Sequence, residues 1–280
     1  MMDPRITPAR PDLAAAHLKG KVEAAAFAQG TRRSISRGRI SLKNAPSHQA
    51  VQVSELLYGE VFTVYEEKNG WAWGQGALDS YVGYVHTIAL GDPIVPTHRV
   101  AALMTPVFPA PDFKRPVLDM LPLNARVAVQ AWDNGYAALA PSVYVRDCTL
   151  APASGKTEDW VLAAERFLGV PYVWSGKTHA GLDCSGLIQT ALQAGGIAAP
   201  RDADMQEQAL GSHVVTAPDF SNLERGDLVF WSGHVGVMLD AARLLHANTF
   251  HMAVAVEPLT VAVARIAQTA GPIRSVKRLS

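Results

Sequence analysis

The sequence predicts an α+β chain in which two small β-barrels in tandem precede a domain of helices packed on an antiparallel sheet. Three observations carry this reading. A hairpin signature occurs twice before residue 152, helical periodicity replaces alternation after it, and short apolar runs divided by turn residues return towards the C-terminus. With 280 residues, 49% of them hydrophobic, the chain has material for two or three packed cores.

Residues 1–30 form an N-terminal extension, and the sequence leaves open whether it wraps onto the barrels or stays disordered. The first barrel is expected over 31–95. There "FTVYEEKNGWAWGQ" is followed by "YVGYVHTIAL", an alternating strand, an Asn-Gly turn, an aromatic return strand and a closing strand. The second, over 96–152, repeats the pattern as "VAVQAWDNGYAALA" and "VYVRDCTL". Asn69-Gly70 and Asn134-Gly135 each mark a tight hairpin, because such turns want positive φ at both central residues. "GDPIVPTHRV" and "APASGKTEDW" supply the Pro, Gly, Ser and Asp of linkers near residues 95 and 152. Arg32, Arg33, Arg37 and Arg39 read as a solvated basic segment.

Residues 153–280 form the third domain. In "TEDWVLAAERFLGVPY" a helix is expected, with Thr157 as N-cap, Trp160, Val161, Ala164, Phe167 and Leu168 on one face, and Gly169 and Pro171 as the stop. A second helix starts at Cys184, with Leu187, Ile188, Ala191 and Leu192 at helical spacing before Gly195-Gly196. "GDLVFWSGHVGVMLD" and "RLLHANTF" then read as antiparallel strands.

Twenty-five basic and 25 acidic side chains balance, so no global field draws nucleic acid or an anionic membrane. The first 30 residues contain no apolar h-region, and the two cysteines are too few for a disulfide scaffold. The expectation is a cytoplasmic protein.

Cys184 raises the functional question. Set where a loop runs into a helix, its thiolate is favoured by the unpaired amides and positive dipole end of the helix, and the same amides can hold an oxyanion. A nucleophile also needs a base and a group that orients the base. His234 and His246 supply both if their strands pair with residue numbers summing to 480, which sets His234 opposite His246. A one-residue slip would separate the rings. In this reading glycine at 236 leaves the thiol side of His234 uncrowded. Each residue alone has a plainer reading, since a lone cysteine is usually a small buried hydrophobe and a strand histidine a structural residue. No His-Glu-x-x-His or paired-cysteine spacing suggests a metal. Only the combination argues for catalysis.

"PYVWSGKTHAGLDCSGLIQTAL", "RGDLVFWSGHVGVML" and "LLHAN" together resemble the NlpC-type cysteine peptidases, a papain-like family of bacterial cell-wall peptide hydrolases. The resemblance covers roughly residues 155–265. It implies a papain-like α+β catalytic domain with Cys184 as nucleophile, His234 as general base and acid, and His246 as the orienting residue. It also implies Tyr172 near the oxyanion, with Asp183 and Ser185 contacting substrate; Tyr172 and Trp174 are equally readable as core aromatics.

The upstream barrels are then similar to bacterial SH3-like domains, as in γ-D-glutamyl-L-diamino acid endopeptidases. In that subgroup the first barrel closes the cleft so that the enzyme reads a free N-terminal L-alanine. Pairing a buried ammonium needs a carboxylate and a hydroxyl, and Glu60 and Tyr81 are the candidates, with Glu55 less favoured. The resemblance implies hydrolysis of L-Ala-γ-D-Glu-diamino acid peptides, with meso-diaminopimelate or L-lysine third, in peptidoglycan recycling, with no cofactor. Rival readings are a non-catalytic muropeptide-binding module, an acyl- or amide-transfer enzyme on the same scaffold, and an extracellular wall hydrolase directed by its barrels. Oligomeric state and choice of diamino acid have no sequence signal.

Overall fold

The computed structural model describes residues 2–279 and divides into two compact units, Met1–Gly155 and Lys156–Ser280. In the first unit, a seven-stranded antiparallel sheet runs in the order Gln52–Leu57, Arg39–Lys43, Val82–His86, Trp71–Gly76, Val61–Lys68, Thr31–Ile35, Leu90–Gly91. Alternation does the folding here. Phe62 and Val64 point inward from one strand to meet Ile35, Leu42, Leu56, Ala72 and Val85, while Thr63 and Tyr65 face outward.

The segment that follows is built from smaller sheets, including Ala131–Asp133, Tyr136–Ala140 and Val143–Arg146 in antiparallel order. Both Asn-Gly turns have the expected positive φ, 51° and 79° at Asn69 and Gly70, 46° and 78° at Asn134 and Gly135. They close Lys68 onto Trp71 and Asp133 onto Tyr136. The two segments are joined by hydrogen bonds. Arg126 N donates to Tyr58 O at 2.8 Å, and Gly38 N to the Asp119 carboxylate at 2.8 Å.

The extension lies against the first sheet. Leu13–Ala15 pairs in parallel with Ala26–Ala28. The Arg10 guanidinium sits 4.3 Å from the Trp73 ring centroid and donates to Tyr84 Oη and Glu66 Oε2.

The second unit carries a six-stranded antiparallel sheet in the order Ser212–His213, Ser275–Arg278, Leu228–Trp231, His234–Met238, Arg243–Asn248, Ala253–Pro258. Among the described residues four helices accompany it: α1 (Trp160–Glu165), α2 (Cys184–Ala194), α3 (Ala203–Ala209) and α4 (Leu259–Ala270). α1 is capped by Asp159, whose carboxylate accepts from Val161 N and Leu162 N, in place of the expected Thr157. Asp159 stands immediately before the helix and also holds Arg225, so the charged acceptor takes the cap. α2 is buried at every position but Gln193, a core helix in contact with α1 and the central strands. α4 has no side-chain cap. It is attached by Leu259, Ala262 and Ile266, which pack on Val229, Trp231, Met238, Leu244 and Val276. Burial of each large apolar side chain there contributes about 1.5–3 kcal/mol. Among the described residues no helix is long and apolar enough to cross a membrane.

Candidate active site

Asp183 and Cys184 form the join between loop and helix. Asp183 Oδ1 accepts from Gly186 N at 2.7 Å and Asp183 O from Leu187 N at 3.0 Å, so the amides of Cys184 and Ser185 are the first-turn donors that stand beside the sulfur, with Ser185 N favouring the thiolate. The carboxylate is held in turn by Arg201, with Nη1 donating to Oδ1 at 3.0 Å and Nη2 to Oδ2 at 2.9 Å, and by Ser175 N at 2.9 Å. Arg201 Nη1 also donates to Ser185 Oγ at 2.9 Å. Arg201 is 1% and Asp183 5% exposed. Both oxygens of Asp183 therefore accept from protein donors, and its place in the structure is to fix the first turn of α2. Gly186 has no room for a side chain, since a Cβ would stand 2.1 Å from Gly176 O.

Cys184 lines a cavity of about 230 Å³ together with Tyr172, Gly233, His234, Asn248, Phe250 and Arg265. Burial, with the adjacent Asp183 charge, pushes the thiol up to about 12, against the amides of Val235 and Ser185, which favour the thiolate. Burial, the adjoining His246 ring and the positive charge of Arg265 hold His234 down at about 3. His246 is held at about 3 by burial, Arg265 and His251. The resting pair is thus thiol and neutral imidazole.

The two rings meet, but not through the expected pairing. Val237 faces Leu245 and Met238 faces Leu244, a sum of 482. The cause is the turn, where Asp240 Oδ1 accepts from Ala242 N and Arg243 N and Leu239 N bonds Arg243 O, making a three-residue loop. A shift of two preserves the face. His234 Nε2 lies 2.8 Å from His246 Nδ1, so Nδ1 of His234 is the nitrogen left for the thiol. Gly236 serves a different purpose from the one expected. A Cβ there would stand 2.8 Å from Leu244 Cδ1 and 3.1 Å from His246 Cβ, so the glycine makes room for His246.

Tyr172 is half-buried on the cavity wall, and burial beside Cys184 and Asp183 pushes its hydroxyl well above the ordinary tyrosine range. Trp174 is 65% exposed and is not among the cavity-lining residues. In the first unit, Glu60 is 4% exposed and lines a separate pocket of about 410 Å³ with Arg32 and Arg126. Tyr81 is 6% exposed in the core of the first sheet, and Glu55 pairs with Arg39.

Two residues not expected from the sequence join the chain of rings. His246 Nε2 lies 2.7 Å from Glu257 Oε1, and the same oxygen accepts from Arg265 Nη2. Glu257 sits in a strand of alternating apolar residues, "AVAVEP", where a buried acid is the one signal that would have singled it out. His246, His251 and Glu257 bring donor atoms within 4.8 Å of one another, the spacing of a metal site. Both His246 nitrogens and Glu257 Oε1 are already committed to hydrogen bonds, which suits proton placement better than metal ligation.

Residues 169–267 match the NlpC/P60 family, and residues 42–90 match the bacterial dipeptidyl-peptidase SH3 domain. The γ-D-glutamyl-L-lysine dipeptidyl-peptidase of Bacillus subtilis is 32% identical over 144 residues, 46% of this chain and 45% of that protein. Dipeptidyl-peptidase 6 of Lysinibacillus sphaericus is 25% identical over 228 residues, 72% of this chain and 82% of its own. The chain spans less than half the length of the Bacillus subtilis relative. An NlpC/P60 family protein from Bacillus cereus superposes with a TM-score of 0.74 over 89% of this chain and 99% of its own, at 18% identity, a likeness of fold.

Proposed function

From a chain that carries an NlpC/P60 domain behind a bacterial SH3 domain, we propose a cysteine peptidase that cuts peptidoglycan-derived peptides after γ-D-glutamate. The observation that carries the reading is Cys184 at the N-terminus of buried α2, sharing a cavity with a His234 whose far nitrogen is tied to His246. The names of the relatives, γ-D-glutamyl-L-lysine dipeptidyl-peptidases, support the bond chosen.

Because the resting pair is neutral, His234 Nδ1 takes the thiol proton as sulfur attacks the γ-glutamyl carbonyl. The tetrahedral oxyanion rests on the amides of Cys184 and Ser185 at the positive end of α2. His234 then gives its proton to the leaving diamino-acid nitrogen as the C–N bond breaks. Water, deprotonated by the same ring, hydrolyses the thioester and returns the thiol.

The finer reading is an enzyme of muropeptide recycling in the cytoplasm, acting on released L-Ala-γ-D-Glu-diamino acid peptides with a free N-terminus. Glu60 and Tyr81 are the proposed readers of that amine. Mass spectrometry of L-Ala-γ-D-Glu-meso-diaminopimelate and its N-acetyl form, incubated with wild type and Glu60→Gln, tests it. Release of L-Ala-γ-D-Glu from the free peptide alone, weakened in Glu60→Gln, is expected. Equal cleavage of both peptides removes the amine-reading proposal, and cleavage of neither removes the peptidase assignment.

A further inference from the structure

We infer that Glu257 and Arg265 are positioning residues for proton transfer: Glu257 sets the tautomers of His246 and His234, and Arg265 keeps both rings neutral so that the setting holds. The inference rests on the assignment of Cys184 and His234 as nucleophile and base, and it extends the site by two residues beyond the thiol and the two imidazole rings.

The hydrogen bonds run inward from Glu257 to the thiol side of His234. An ionised carboxylate only accepts. Glu257 Oε1, 2.7 Å from His246 Nε2, therefore requires hydrogen on Nε2. A neutral His246 then has a bare Nδ1, which at 2.8 Å accepts from His234 Nε2–H. His234 in turn is left with a lone pair on Nδ1, the atom that has to take the thiol proton. Each step is fixed by the one before it, and the chain runs through buried groups: His246 is 0% and Glu257 8% exposed.

Fold and sequence place these groups. Leu244 faces Glu257 and His246 faces Ala255 across the last two strands, so Glu257 shares the face of His246 one pair further along. Arg265 reaches Glu257 from α4, with its guanidinium 4.5 Å from the Phe250 ring centroid. Cys184, the first residue of α2, and Tyr172 line one cavity with His234, the Asp183 charge just before α2 acts on His234, and His251 acts on His246 from the loop after Asn248.

Arg265 answers a difficulty that Glu257 creates. A lone buried carboxylate beside His246 would favour an imidazolium. That ring would donate from both nitrogens, force the proton of His234 onto Nδ1, and leave the thiol facing a donor. The guanidinium offsets the carboxylate charge without removing its lone pairs.

The test is made on the full chain, as wild type, Glu257→Gln, Glu257→Asp and Arg265→Met. Two readouts need no substrate: ¹⁵N–¹H correlation of labelled histidine rings, and the pH dependence of Cys184 alkylation by iodoacetamide, mapped by peptide mass so that exposed Cys148 is counted apart. The third is hydrolysis of L-Ala-γ-D-Glu-meso-diaminopimelate. In wild type, hydrogen is expected on Nε2 of both rings. Arg265→Met removes a positive neighbour, so the acid limb of alkylation and of kcat/KM moves to higher pH. Glu257→Gln presents oxygen or NH₂ to His246, mixes the tautomers, and lowers kcat at least about tenfold with KM within about threefold, a milder form of the loss seen when a base-orienting carboxylate becomes an amide. Glu257→Asp restores part of it. Tautomers and alkylation profiles identical in all four proteins overturn the inference. If no variant hydrolyses the peptide but tautomers and alkylation respond as described, the positioning role stands and the peptidase assignment falls.

Discussion

Replacing Arg201 with Met removes one partner of an ion pair that is 1% and 5% exposed. Asp183 would keep its bonds from Ser175 N, Gly186 N and Ser185 Oγ, but lose both guanidinium donors. Breaking a buried pair in this way costs about 3–5 kcal/mol, because a charge is left without its counter-charge. For a unit the length of Lys156–Ser280, an unfolding entropy of ~2.1 cal/mol/K per residue gives about 0.26 kcal/mol/K. A loss of about 4 kcal/mol then lowers Tm by roughly 15 °C. Calorimetry of wild type, Arg201→Met and Arg201→Met with Asp183→Asn reads the effect. The double variant should recover part of the loss, since it leaves no charge stranded. A drop of less than about 3 °C in the single variant would refute the claim that this pair holds the first turn of α2.

The histidines make stability depend on pH with a definite sign. His234 and His246 are held at about 3 in the folded chain against 6.5 for the free side chain, so between those values the unfolded state binds more protons. Stability from these rings is complete above about pH 6.5 and is lost as pH falls towards 3, at up to ~1.4 kcal/mol per pH unit for each ring. Urea melts from pH 7 to 4 should show a flatter acid limb in His246→Asn, and an unchanged slope would count against the buried neutral rings. Gly236→Ala pushes a methyl towards His246 Cβ and should lower kcat about 10–100-fold with the fold intact by circular dichroism, as small misplacements of reacting groups do. Wild-type kcat in that variant would show that the glycine has no part in placing the ring.

How much of this was legible in the sequence depended on whether the signal was local. The Asn-Gly hairpins and the start of α2 are dictated by residues next to one another, and they stand where the sequence predicts. The His234–His246 contact was readable because face alternation survives a shift of two, whereas its register depended on how Asp240 organises its turn. α4 has no cap to announce it, and its helix is held by the sheet beneath it. Glu257 and Arg265 become partners only through the last strand pairing and the docking of α4. Arg201 likewise meets Asp183 only after 18 residues of chain have folded back.

The most direct test is the rate at which Cys184→Ala hydrolyses L-Ala-γ-D-Glu-meso-diaminopimelate, followed by mass spectrometry beside wild type at equal concentration. Release of L-Ala-γ-D-Glu by wild type is expected, with a fall of at least about 10⁴-fold in the variant, since removal of a nucleophile leaves only oxyanion and binding contributions. Hydrolysis by Cys184→Ala at a rate near that of wild type would contradict the role of Cys184 as nucleophile.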